Sequence, residues 1–443
     1  MLIYGLLLSL SGWYFGYQLG MFNTFFKSFI ETVYPHIQKK HKEDVQGNLQ
    51  MYMLIGGIAA CLTSGYIIET LGRYKTALLY LSVELCVIVI SLKVSLGLLY
   101  SVRFMHGYLV CSWSFLALIM IKEILPSSYK NLFACLFYVF FTMGIMTAYI
   151  FAFESVGQYW RYVFSLPALF DLPKLLAFIF IFNIESPKWI IAEIKDPELR
   201  LEMLRNNLSK IYTDEEVERL VTLITVESTN EGSTEDVTFS DLIGPKYVAQ
   251  FMVVVLLNFL NQMTGNPVLV FYSGKMFKKM DLPHAKLITL FMGSVNFIAA
   301  VTITLVSQRI SKKTSIVVGL GLQTLGYFIF LLGIGLDNAF FTITGVYLYM
   351  FSYTISLGAL IYPYQTDILP PKGIGIAATI QWIMAAFVGK FSPKILKRFD
   401  IVPVFIFFML MSFLGFFLFN NYAIDTENKT DEEIRREFMD KKI

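Results

Sequence analysis

The stretch Asn258-Phe-Leu-Asn-Gln-Met-Thr-Gly-Asn-Pro-Val-Leu-Val-Phe-Tyr-Ser273 lies inside a long apolar segment, yet carries Asn258, Asn261, Gln262, Thr264 and Asn266. An amide in hydrocarbon is costly unless it finds a partner or a water-filled cavity. Gly265 and Pro267 stand among these amides, so the helix is expected to break or bend here. Phe271 and Tyr272 follow directly. Two readings fit. The amides are hydrogen-bond glue between helices, or they line a mid-membrane site for a polar, uncharged solute, as broken carrier helices do.

The rest of the chain places that stretch in a membrane. Hydrophobic residues make up 56% of the 443, aromatics 16%, and mean hydropathy is +0.60. A spanning helix needs about 20 mostly apolar residues, and the pattern yields twelve such segments. The first is expected from Leu2 to Thr24 and the last from Pro403 to Asn420. Residues 190–246 form the single long polar stretch. Asp196-Pro197 there reads as an N-cap followed by Pro at N1, and Thr213 to Glu216 as a capping box. Ser228 to Ser240 is expected to be mobile. The division is therefore 1–183 as a first six-helix half and 184–246 as a cytoplasmic linker with short amphipathic helices. A second half, 247–420, and a cytoplasmic tail, 421–443, complete it.

Several function classes drop out. A net charge of +3 on 36 basic and 33 acidic residues points to no nucleic-acid partner. Cys61, Cys86, Cys111 and Cys135 form no CxxC pair, the four histidines no HExxH, and no GxxxxGK[ST] occurs. No cofactor, metal site or catalytic constellation is expected, so the chain is not read as an enzyme.

The halves repeat. Glu123-Ile-Leu-Pro126 and Asp367-Ile-Leu-Pro370 lie 244 positions apart, and the same offset carries Gln18 onto Gln262 and Tyr138 onto Trp382. Fused six-span repeats are the build of a rocking carrier with its site between the halves. The Lys/Arg distribution favours a start on the cytoplasmic side. Both termini are then cytoplasmic, in a plasma-membrane protein working as a monomer.

At this point the motifs resemble those of the sugar porter family of the major facilitator superfamily, particularly its facilitative glucose transporters. Gly65-xxx-Glu69-Thr-x-Gly72-Arg73-Tyr-Lys75 resembles the family's GxxxD-R-x-G-R-R/K loop, and Glu185-Ser-Pro-Lys-Trp189 its PESPRWL. Asn261-Gln-Met-Thr-Gly265 resembles QQLSG, and Asp425-Thr426 with Glu433-Ile434 stands where the family has PET followed by DEI. The resemblance covers essentially the whole chain. It implies an all-α polytopic membrane protein with twelve transmembrane helices in two pseudo-symmetric six-helix halves, the major facilitator fold.

The resemblance also implies roles. Sugar contacts fall on Asn261, Gln262, Asn296, Gln381 and Trp382, with Phe15 as the span 1 aromatic and Tyr362 in place of a span 10 tryptophan. Gln18 takes the position of a span 1 asparagine or aspartate, Tyr138 that of a span 5 glutamine, and Asn266 lies one position early for another asparagine. A cytoplasmic charge network falls on Glu69, Arg73, Glu123, Lys130 and Glu185, and on Arg309, Lys312, Asp367, Lys372 and Asp425. The implied activity is facilitative hexose transport. A proton-coupled sugar or polyol symporter is the alternative, with Glu84 as the unexplained carboxylate. A non-transporting sugar sensor is expected to carry a long signalling tail, and only 421–443 follow the last span.

Overall fold

The computed structural model describes residues 1–93, 95–150, 158–230, 241–242, 244–245, 247–282, 284–306, 309–369, 371–427, 429 and 431–440. Among these, eleven helical segments are long and apolar enough to cross a bilayer. The twelfth expected span is present but divided. Leu2–Ser9 (α1) and Ser11–Thr24 (α2) meet at Leu10, so neither piece alone has spanning length.

After Phe26–Val33 (α3), the first half continues with Lys39–Leu71 (α4), Arg73–Ser91 (α5), Leu96–Ile124 (α6) and Ser127–Ile150 (α7). Trp160–Ser165 (α8) and Ala168–Phe180 (α9) together form the next span. Helix α2 lies directly on α7. A Cβ on Gly12 would stand 2.1 Å from the Phe137 carbonyl oxygen, and one on Gly16 1.8 Å from that of Phe141. Only glycine permits this approach, the usual way membrane helices gain packing contact where lipid is as apolar as leucine.

Three short helices follow: Pro187–Glu193 (α10), Pro197–Leu208 (α11) and Asp214–Asn230 (α12). Both expected caps are present. The Asp196 carboxylate accepts from Glu198 N at 3.0 Å, and Glu216 reaches back to Thr213 N at 3.2 Å. Leu204, Leu208, Val217 and Val221 close a small core of their own with Ile190. Of the stretch Ser228 to Ser240, residues up to Asn230 continue α12, and the remainder lies outside the described residues.

The second half begins with the broken segment. Val248–Met263 (α13) stops at Thr264, and Asn266–Lys279 (α14) restarts with Pro267 in its first turn. Between them Gly265 has φ +93°, a left-handed conformation that L side chains avoid. A Cβ there would also strike Phe408 and the Tyr327 hydroxyl. The interrupted ladder is repaired from the neighbouring helix, where Tyr327 Oη donates to the Thr264 carbonyl at 2.5 Å. Ala285–Val306 (α15), Lys312–Gly335 (α16) and Ala339–Tyr353 (α17) follow. A π-helix, Thr354–Gly358, leads without interruption into Ala359–Ile368 (α18). Pro371–Arg398 (α19), Ile401–Tyr422 (α20) and Asp431–Asp440 (α21) complete the chain.

Buried apolar side chains form two large groups besides the small one. The first draws on α1 to α9, with Val270, Phe271, Tyr272, Trp382 and Ala385 added. The second draws on α13 to α21, with Ile145 and Tyr149 of α7 added. The residues that cross from one group to the other come from α7, α14 and α19, and these helices frame the site.

Candidate functional site

Where α13 breaks, its amides turn toward the π-helix. Tyr353 Oη donates to Asn261 Oδ1 at 2.5 Å, and Thr354 Oγ1 donates to Asn296 Oδ1 on α15. Each asparagine thus commits its oxygen to the protein, while its NH2 group has no protein partner among the described residues. The Gln262 side chain, 6% exposed, likewise has no protein partner among them. Asn266 Oδ1 is enclosed without a donor among the described residues. Across from them Tyr362 Oη donates to Gln381 Oε1 at 3.2 Å. The result is a knot of amides with unused donors and acceptors, the complement of a polyhydroxylated solute.

Aromatic rings close the knot. Phe15 on α2 and Trp382 on α19 face each other with planes 14° apart and centroids 6.0 Å apart. Phe15 also meets Phe141 edge-on at 4.9 Å. The Trp382 indole lies over Gly57 of α4, where a Cβ would come within 2.4 Å of the ring. Tyr138 packs on Phe141, and its hydroxyl lies where a Cβ on Gly358 would stand, 2.1 Å away. Asn258 is a different case: its Nδ2 donates to Val254 O at 2.8 Å within its own helix, a bond that neither joins helices nor faces a solute.

Gln18 does not join this group. It is 1% exposed, and both its amide oxygen and its carbonyl accept from the Arg103 guanidinium at 3.2–3.3 Å. Arg103 reaches Gln50 Oε1 at 3.3 Å as well and lies 4.7 Å from the centre of the Phe22 ring. Further along α2, Ser11 accepts from Lys174 Nζ at 3.2 Å, and Lys174 pairs with Asp171 at 3.5 Å. This pair is internal to α9 rather than a bond between helices, with Ser11 as its link to α2. Glu84 of α5 is fully buried, and neither of its oxygens has a hydrogen-bond partner among the described residues.

The charge network condenses into two clusters at one end of the molecule. In the first half Arg73 holds Glu123 through two bonds of 2.9 and 3.0 Å, and Ser186 Oγ donates to Glu123 at 2.5 Å. The Glu185 carboxylate accepts from Arg73 N at 2.7 Å and Tyr74 N at 3.1 Å, capping α5. Burial pushes the Glu185 carboxyl up from its ordinary range, opposed by the Ser186, Arg73 and Tyr74 N–H groups and the Arg73 charge. In the second half Lys312 bridges Asp367 at 2.8 Å and Glu427 at 3.1 Å, and Thr426 Oγ1 donates to Asp367 at 2.6 Å. Each of these groups pairs within its own half.

Arg309, Glu69 and Asp425 stand apart from these clusters among the described residues. Arg309 is exposed and makes no ion pair among the described residues, so Lys312 one turn on takes its place. Glu69 contributes its carbonyl to Trp189 Nε1 at 2.8 Å, and Asp425 turns onto Glu427 N at 3.3 Å. Lys130 is half-buried on α7, and the Lys372 side chain lies outside the described residues. At the opposite end the halves join directly. Lys394 meets Asp44 at 3.4 Å, Lys390 Nζ donates to Asn48 Oδ1, and Tyr149 Oη donates to Val270 O at 3.2 Å.

Sequence reasoning missed Tyr353, Thr354, Thr426 and Glu427. The first two have no motif of their own, and only the π-helix aims them at the asparagines. Thr426 stands in the motif without a role of its own and Glu427 follows it directly, so adjacency to Asp425 was the available signal.

The comparisons agree with this architecture. The profile of the family described as "Sugar (and other) transporter" matches residues 5–438. Hexose transporter 1 of Plasmodium falciparum is 23% identical, covering 93% of this chain and 88% of its own. Glucose transporter GlcP of Staphylococcus epidermidis is 23% identical over 98% and 96%, and the arabinose-proton symporter of Bacillus subtilis 22% over 88% and 86%. Among solved structures, the inward-open xylose transporter XylE of E. coli superimposes with a TM-score of 0.78 at 18% identity, covering 98% of each chain. A fold of two six-helix halves, a broken seventh span and a profile match along nearly the whole length lead to one conclusion: this chain belongs to the sugar (and other) transporter family.

Proposed function

We propose that the chain carries a hexose across a membrane by alternating access, as a facilitative uniporter. The observation that carries this reading is the convergence of Asn261, Gln262, Asn296, Gln381 and Trp382 at the break of α13, with donors left free for hydroxyl groups. Each neutral hydrogen bond contributes about 0.5–1.5 kcal/mol net. A handful gives roughly millimolar affinity, near −4 kcal/mol, which suits a load that must be released.

In this reading residues 1–183 and 247–420 rock as two bodies, with 184–246 as the cytoplasmic linker and 421–443 as the cytoplasmic tail. The joined end at Asp44 and Lys394 faces outward. The charge clusters on Arg73 and Lys312 lie on the cytoplasmic side and exchange partners between halves when the carrier opens outward. Both termini are cytoplasmic, the unit is a monomer in lipid, and the plasma membrane is its site.

The uniport assignment rests on Gln18. An amide paired to Arg103 carries no proton between the two sides. A second reading, proton-coupled symport, draws on the buried Glu84 carboxylate, whose oxygens have no hydrogen-bond partner among the described residues. Radiolabelled uptake in cells lacking their own hexose carriers, with competing sugars and with and without a protonophore, tests both. Uptake that equilibrates and ignores the protonophore is expected. Accumulation that the protonophore abolishes overturns uniport in favour of symport.

A further inference from the structure

Cys61 of α4 and Cys111 of α6 bring their sulfurs to 3.5 Å. Cys111 is buried and Cys61 half-buried, so the pair has one accessible face. The approach is built into the two helices. A Cβ on Gly56 would stand 1.9 Å from the Phe104 carbonyl oxygen, and one on Gly107 1.7 Å from that of Met53. On either side, Ser64 and Ser112 share a hydrogen bond of 2.6 Å and Thr63 and Tyr108 one of 2.9 Å. The thiols are therefore held between fixed polar contacts on helices that already touch.

The separation selects a chemistry. A disulfide needs sulfurs about 2.05 Å apart. Reaching that from 3.5 Å takes rotation of the side chains and a two-electron oxidant, which a bridging centre does not need. Two sulfurs bound to one tetrahedral centre at about 2.3 Å lie about 3.8 Å apart. The observed distance is close to that spacing, so one centre can bridge the pair with little movement and no oxidation.

Its position gives the bridge a consequence. Gly57, which carries the Trp382 indole, precedes Cys61 by four residues and shares its helix face. One turn of about 5.4 Å separates them. The sulfurs thus lie beside the aromatic wall of the candidate sugar site, on the Leu71 side.

We propose that Cys61 and Cys111 form a dithiol site bordering the transport path, which binds one soft, sulfur-seeking centre across both sulfurs. A trivalent arsenical or a soft d10 cation supplies that chemistry. With phenylarsine oxide, two As–S bonds form and the As–O bonding breaks. The two thiol protons leave with the oxygen as water, and no atom changes oxidation state.

The test uses the full chain with Cys86→Ser and Cys135→Ser. Intact mass after phenylarsine oxide is expected to show one arsenical per chain, resistant to a monothiol wash and removed by 2,3-dimercaptopropanol. Adding Cys61→Ser or Cys111→Ser breaks the two-point attachment, and retention through the monothiol wash falls by about a hundredfold. Cd2+ added first is expected to block the adduct, and an adduct undiminished by Cd2+ assigns the site to arsenicals rather than cations. No adduct, or equal retention in either single-serine chain, overturns the dithiol site. The placement beside the path rests on the transport reading and is read separately. Adduct formation should slow uptake, and full uptake by a fully modified chain overturns the placement while leaving the mass result standing.

Discussion

Gly57→Ala tests whether the closure of α4 on α19 is part of the transport cycle. The new methyl would lie 2.4–2.8 Å from three atoms of the Trp382 ring. An ordinary contact begins near 3.4 Å, so the indole or the helix must retreat by roughly 1 Å. The indole has little room to fold away, because it is 7% exposed and stacks near Phe15. Overpacking of this kind costs about 1–3 kcal/mol. Applied to the conformation in which Asp44 meets Lys394, that lowers its population about 5- to 150-fold relative to the other states of the cycle. Uptake at equal surface expression should fall within that range. Gly65 on the same helix has nothing within 4 Å of its added Cβ, so Gly65→Ala should stay within about twofold of wild type. In a Trp382→Ala background the clash partner is gone, and Gly57→Ala should add little, as coupled neighbours do. Wild-type uptake by Gly57→Ala, or penalties that multiply fully in the double variant, would refute the reasoning.

The other predictions are more local. Gln262→Ala removes up to two hydrogen bonds to the solute, about 1–3 kcal/mol, and should cut uptake roughly 5- to 150-fold at normal surface expression; near wild-type uptake removes Gln262 from the site. Lys312→Ala leaves Asp367 and Glu427 together without their cation and should slow net transport, whereas Arg309→Ala, with no ion pair to lose among the described residues, should change it by less than about twofold. A reversed order of the two would return the role to Arg309. Gly265→Ala forces a side chain into a left-handed residue against Phe408 and Tyr327, and thermal stability in detergent should drop well below that of Gly65→Ala.

The membrane fold was legible because it rests on length and hydropathy, and the break of the seventh span because glycine and proline act locally. The divided first span was not, since Leu10 carries no breaker and the bend belongs to the packing of α2 on α7. At the site, resemblance named Asn261, Gln262, Gln381 and Trp382 from motif positions alone, and it grouped Gln18 with them. Sequence showed an amide there without showing that Arg103, 85 residues on, takes its oxygen. For the charges, resemblance put Arg73 and Glu123 in one network without showing that they pair directly. That Lys312 rather than Arg309 reaches Asp367 depends on where α16 begins, a boundary that pattern reading leaves loose by a residue or two.

The five-residue π-helix at Thr354–Gly358 sets the phase of everything after it in the tenth span. An α-helix advances about 100° per residue, and a π turn absorbs one extra residue. If this segment rewound as regular α-helix with all its residues kept, Ala359–Ile368 would rotate by about that angle. Tyr362 would swing from Gln381, and Asp367 from Lys312, in one movement. The solute-facing hydroxyl and the distant ion pair are thus keyed to the same winding defect, like two pointers fixed on one shaft. A disturbance of that winding during transport would be felt at both ends of the helix at once.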